Sequence, residues 1–120
     1  MTLRKIAAAA LLVLGATGFA STAAPAQAAV GYDRCPNGHF CIFSASNGGG
    51  RIAYFQLGST DLRLQNIDGQ AYSFWNRTGR YWDGFTDYNY RGNVIFRSGP
   101  GQQSNVPATV ATQVHSVKVV

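Results

Sequence analysis

Phe85-Thr86-Asp87-Tyr88-Asn89-Tyr90-Arg91-Gly92-Asn93-Val94 can be laid on Phe43-Ser44-Ala45-Ser46-Asn47-Gly48-Gly49-Gly50-Arg51-Ile52 at a constant offset of 42, matching at Phe, Asn, Gly and a closing β-branched residue. Further on, Tyr72-Ser73-Phe74 pairs with His115-Ser116-Val117 at an offset of 43. Self-similarity at a fixed period marks a repeated structural unit, here two units of about forty residues each. Around these stretches, short apolar or alternating runs recur at residues 40–43, 52–57, 71–75, 81–85, 94–96 and 114–119, bounded by Gly, Asn, Asp and Pro. No segment of useful length has a helical period. The 14 Gly call for many tight turns. The expected fold class is all-β, a sandwich or a barrel, built from the two units.

The spacing Phe85, four residues, Tyr90, one residue, Gly92 resembles the signature of a βγ-crystallin Greek key. The resemblance implies that the two aromatics brace a folded hairpin and that Gly92 adopts a backbone conformation closed to residues with a Cβ. It also implies that Ser73 and Ser116 are the family's buried serines, tying each hairpin down by hydrogen bonds. The first unit departs from the pattern because Gly48 stands where the second aromatic belongs, so its hairpin is expected to be looser.

Cys35-Pro36-Asn37-Gly38-His39-Phe40-Cys41 opens the first unit. Two Cys in a small exported chain read as a disulfide, and closing a ring this short contributes roughly 2 kcal/mol while fixing the entry to the first strand. A zinc or redox pair would need a two-residue spacing and further ligands. Together with Ser73-Phe74-Trp75-Asn76-Arg77-Thr78-Gly79, this segment is similar to the secreted bacterial peptidase inhibitors of family I36. That resemblance implies an all-β, βγ-crystallin-like Greek-key β-sandwich of two units and inhibition of a secreted metallopeptidase. In the family's characterised inhibitor a second disulfide braces the reactive loop, and this chain has no Cys beyond Cys41.

Export is written in residues 1–28. Arg4 and Lys5 precede an apolar stretch too short to span a bilayer, and Ala26-Gln27-Ala28 offers a small-x-small cleavage site. Cleavage there leaves a single domain of residues 29–120, secreted and free of the membrane. A chain of that length buries only about 60–65% of its unfolded surface, so a covalent aid matters. The formal charge of +5 includes Arg4 and Lys5; without them eight basic residues face five Asp, a net +3. Seven of those eight are Arg, a residue favoured at interfaces.

Several chemistries are disfavoured. With two His, no Glu, no Gly-x-Ser-x-Gly and no His-Glu-x-x-His, the chain is expected not to be an enzyme. Asp83 and Asp87 are close enough in sequence for an acid–base pair, but an Asp beside Gly84 reads as turn chemistry. The windows 68–73 and 111–116 match the family's calcium pattern poorly and hold one Asp between them, against the six or more oxygens that calcium takes, so no metal or cofactor is expected. Arg77, Arg80, Tyr81, Trp82, Tyr88, Tyr90 and Arg91 mix cations with aromatics as polymer binders do. Much of that aromatic content is claimed by the Greek keys, and no nucleic-acid partner is expected.

The expected function is inhibition of a secreted peptidase by a monomer that presents a rigid loop. Residues 78–84 are the candidate loop, with Arg80, Tyr81 and Trp82 as contact residues, although Tyr81 and Trp82 equally suit a core strand. Ser104-Asn105-Val106-Pro107 is a second candidate, stiffened by its proline. Asn76-Arg77-Thr78 reads as a glycosylation sequon or as a turn. The competing function is a non-inhibitory envelope or stress protein that binds calcium or a polymer.

Overall fold

A computed structural model describes residues 30–120; the expected leader lies outside them. The first unit contributes strands β1 Phe40–Ala45, β2 Gly49–Phe55, β3 Gly58–Ser59 and β4 Ser73–Asn76. The second contributes β5 Trp82–Phe85, β6 Val94–Ser98, β7 Gln103–Asn105 and β8 Ser116–Val119. They form two antiparallel four-stranded sheets in the orders β2-β1-β4-β7 and β3-β8-β5-β6. Each unit keeps three strands and lends its third to the other sheet. The chain is thus the all-β, two-unit Greek-key sandwich that its repeat and the crystallin resemblance together imply.

The two exchanged strands escape sequence reading. Gly58-Ser59 and Gln103-Ser104-Asn105 have no apolar alternation, and they exist because β8 and β4 offer open edges: Ser59 pairs with Val117 and Ser104 with Phe74. Also unannounced is α1, Ala108–Ala111, a single turn following Pro107 at φ −64°. Four residues are too few to show a helical period.

Strand alternation builds the core. In β1, Phe40 and Ile42 face the space between the sheets, while Cys41 and Phe43 join a second cluster on the outer face. Phe40 and Trp82, equivalent by the offset of 42, stack with centroids 4.8 Å apart and an interplanar angle of 10°. Phe74 stacks in turn on Phe96 at 5.4 Å. Phe96 lies flat on β5 because Gly84 has no side chain; a Cβ there would come within 2.2 Å of the ring.

The folded hairpins are chemically duplicate. Ser116 Oγ donates to the Asp87 carbonyl and accepts from Tyr90 N–H, while Ser73 Oγ donates to the Ala45 carbonyl and accepts from Gly48 N–H. Gly92 and Gly50 both have positive φ, at 75° and 67°. Phe85 and Tyr90 pack at 5.7 Å. The first hairpin is not left without a second ring, contrary to the looseness expected of it. Tyr32, from the 3-10 turn Gly31–Arg34, meets Phe43 edge-on at 5.3 Å, and a Cβ on Gly48 would strike Tyr32 N at 2.3 Å. Gly48 thus makes room for an aromatic delivered from elsewhere in the chain. Arg34 Nη2 donates to the Gly48 carbonyl (2.6 Å), and the Cys35–Cys41 disulfide anchors this arm to β1.

Removing that ring should therefore be felt. Tyr32→Ala is expected to lower stability by about 1–2 kcal/mol, the range of an aromatic pair plus some burial, seen as a lower urea midpoint at unchanged slope. An unchanged midpoint would show that the arm rests on the hairpin without supporting it.

Candidate functional site

The linker between the units, residues 77–81, leaves β4 and enters β5. Its shape is set by Asn76, a polar residue at an inward position of β4 with no exposed surface. Asn76 Nδ2 lies within hydrogen-bonding distance of three carbonyls: Arg80 (2.8 Å), Gly99 (2.9 Å) and Ser98 (3.2 Å). Its Oδ1 accepts from Thr78 N–H and from Thr78 Oγ (3.0 and 2.7 Å). Thr78 Oγ in turn accepts from Trp82 Nε1 (3.1 Å) and Arg80 N–H (3.2 Å). A buried amide must find partners or carry a desolvation cost of about 1–3 kcal/mol. Here those partners are Thr78 and the Arg80 carbonyl of the linker, with the Ser98 and Gly99 carbonyls beside it.

The three contact candidates separate. Arg80 is exposed, and its Nη2 donates to the Val120 main-chain oxygen (2.6 Å). Tyr81 is 53% exposed. Trp82 has no exposed surface and stacks in the core, which corrects its assignment as a contact residue: β5 begins at Trp82, and alternation turns that side chain inward. Ser104-Asn105-Val106-Pro107 is likewise no free loop. Ser104 and Asn105 pair with β4, and Val106 is buried. Full burial of Asn76, with its amide nitrogen engaged, also leaves the sequon unavailable to a glycan in the folded chain. Sequence reasoning missed Asn76 as a brace. The available signal was its place two residues after Phe74 on an inward-facing alternation, followed by Thr78.

The remaining polar candidates are dispersed. Asp83 holds Arg97 by both oxygens (2.7 and 2.9 Å), which raises the Arg97 pKa, and it borders a cleft of about 300 Å³ with Phe85, Lys118, Val119 and Val120. Asp68 Oδ1 lies 2.7 Å from His115 Nδ1 and its Oδ2 accepts from Tyr88 Oη at 2.8 Å, so the calcium windows meet as a link between the units. The hydrogen bond to the Asp68 carboxylate raises the Tyr88 pKa. Arg63 lies 4.2 Å over the Tyr88 ring and pairs with Asp61, holding the Asp61 carboxyl below its ordinary range. Among the described residues no group of three or more His, Cys, Asp or Glu could hold a metal ion. His39 precedes β1 and His115 precedes β8, placing them at opposite ends of the sandwich. The cation and aromatic residues split in the same way: Arg77, Arg80 and Tyr81 lie at one end, Tyr88, Tyr90 and Arg91 at the other.

A comparison with protein families matches residues 28–96 to peptidase inhibitor family I36. The chain belongs to that family. Structures similar to this I36 chain are βγ-crystallin domains. One is the βγ-crystallin of Ciona intestinalis, 21% identical, with a TM-score of 0.60 over 69% of this chain and 100% of the other. Another is a βγ-crystallin domain from Clostridium beijerinckii, 19% identical, with a TM-score of 0.59 over 68% of this chain and 95% of the other. At these identities the likeness concerns fold. None of the curated proteins matches the I36 chain. No helix among its described residues is long and apolar enough to cross a membrane.

Proposed function

We propose that this I36 chain is a secreted, monomeric inhibitor of a metallopeptidase, needing no cofactor, and that the linker at residues 77–81 is its contact segment, with Arg80 and Tyr81 reaching the enzyme. The observation that supports this reading is the engagement of the buried Asn76 amide with the linker backbone. A segment held in its bound shape before docking loses little ordering entropy on association. It also keeps its ends in place if the enzyme cuts it. Hydrogen bonding by Asn76 and Thr78 then performs the bracing that a second disulfide performs in the family's characterised inhibitor.

The test titrates the domain of residues 29–120 against a thermolysin-like metallopeptidase and a subtilisin-like serine peptidase. Stoichiometric loss of metallopeptidase activity is the expected result. Activity unchanged in both assays, with a melting temperature that rises on adding calcium, would favour the non-inhibitory reading. Within the inhibitor, Tyr81→Ala should weaken inhibition by about 2 kcal/mol, as removal of an interface hot spot does, with the melting temperature nearly unmoved. Loss of inhibition on substitution in the Thr86–Asn93 hairpin instead would move the contact to the other end of the sandwich.

A further inference from the structure

The linker is tied to two other loops. Gly38 N–H donates to the Arg77 carbonyl and Arg77 N–H to the His39 carbonyl (3.1 and 2.9 Å), joining it to the disulfide-closed loop 36–39. Asn76 N–H donates to the Gln102 carbonyl and Gly101 N–H to the Asn76 carbonyl (both 2.8 Å), joining it to the turn 99–102. With its side-chain bonds to Thr78, Arg80, Ser98 and Gly99, all polar atoms of Asn76 hold the linker and the turn 99–102 in register, and the adjacent Arg77 main chain ties loop 36–39 to them.

The same three loops share a second property. Of the twelve glycines among the described residues, only Gly38, Gly79 and Gly101 have open space, nothing within 4 Å, where a Cβ would stand. One lies in each loop. Each therefore offers main chain uncovered by its own side chain, which lets another backbone approach. Leu57 and Tyr81 flank them, since Val119 N–H donates to the Leu57 carbonyl and Val120 N–H to the Tyr81 carbonyl, and these two side chains are 76% and 53% exposed. The three loops carry His39, Arg77 and Arg80 and no acidic residue.

We infer that loops 36–39, 77–81 and 99–102 form one composite docking surface, registered by Asn76 as a positioning residue, and that it fits a peptidase cleft whose entrance carries carboxylates. This rests on the inhibitor reading and adds to it two loops and the character of the partner. Opposite charge at the entrance speeds encounter more than it tightens the final complex.

The experiment uses thermolysin as probe and adds bulk where the structure has open space. Asn37→Trp, Gly79→Trp and Pro100→Trp each place an indole on one loop; none of these residues is buried, and Gly79 lacks the positive φ that would strain a substitution. All three are expected to weaken inhibition at least about tenfold, as obstruction within a shared interface would, without lowering the melting temperature. If only Gly79→Trp does so, the surface is not composite, and this inference falls while the inhibitor reading stands. If the unsubstituted domain does not inhibit, the inhibitor reading fails first. Asn76→Asp turns a donor into an acceptor facing three carbonyls, and should raise amide hydrogen exchange in all three loops together. Thr78→Val is the milder variant should Asn76→Asp not fold, and should raise exchange in the linker and the turn. Exchange confined to the linker in either variant overturns the registering role. An association rate indifferent to added salt would overturn the acidic entrance.

Discussion

Trp82→Ala is expected to destabilise the domain by about 3–5 kcal/mol, the range for emptying a large aromatic site in a packed core. Trp82 has no exposed surface, lies 4.8 Å from the parallel Phe40 ring and 6.5 Å from Phe55, and donates its Nε1–H to Thr78. Truncation leaves a cavity between the two sheets where the two units meet. Domains of this size have total stabilities of about 5–15 kcal/mol, so the variant should be partly unfolded at moderate temperature. Trp82→Phe keeps a ring against Phe40 but deletes the donor, and should cost about 1–2 kcal/mol. Equilibrium urea denaturation of both variants gives the two numbers. A cost under about 1 kcal/mol for Trp82→Ala, joined to a loss of inhibition, would return Trp82 to the contact surface and contradict its place in the core.

That residue also shows how far the sequence could be read. Phe85, Tyr90, Gly92, Ser73 and Ser116 are legible because they match the crystallin pattern, each meeting one fixed demand of the folded hairpin: paired rings, a left-handed turn at Gly92, and a hydroxyl beneath each hairpin. The orientation of Trp82 depends on where β5 begins, and the run 81–85 starts one residue too early to fix which face Tyr81 and Trp82 occupy. One residue of register exchanges the faces of a strand. The exchanged strands β3 and β7 are illegible for a different reason, since their pairing is supplied by the partner unit and not by their own polar residues. The role of Tyr32 is long-range as well. Gly48 announces a missing ring, but only the folded chain reveals that the arm replaces it.

Removing the disulfide by Cys35→Ala with Cys41→Ala should cost about 2–5 kcal/mol, the span typical of a small exported domain. Ring closure alone accounts for roughly 2 kcal/mol of this. The rest depends on the arm, because Tyr32, Phe43, Trp75 and Ile52 share one outer-face cluster with both Cys, and Arg77 Nη1 donates to the Cys35 carbonyl. If the bond holds Tyr32 in place, the two effects are coupled and their costs do not add. Tyr32→Ala should then be nearly silent in the chain lacking the disulfide, where the arm has already left the first hairpin. A double-mutant cycle on urea midpoints reads this directly. Equal costs for Tyr32→Ala in both backgrounds would show that the arm docks unaided, leaving the disulfide to act through chain entropy alone.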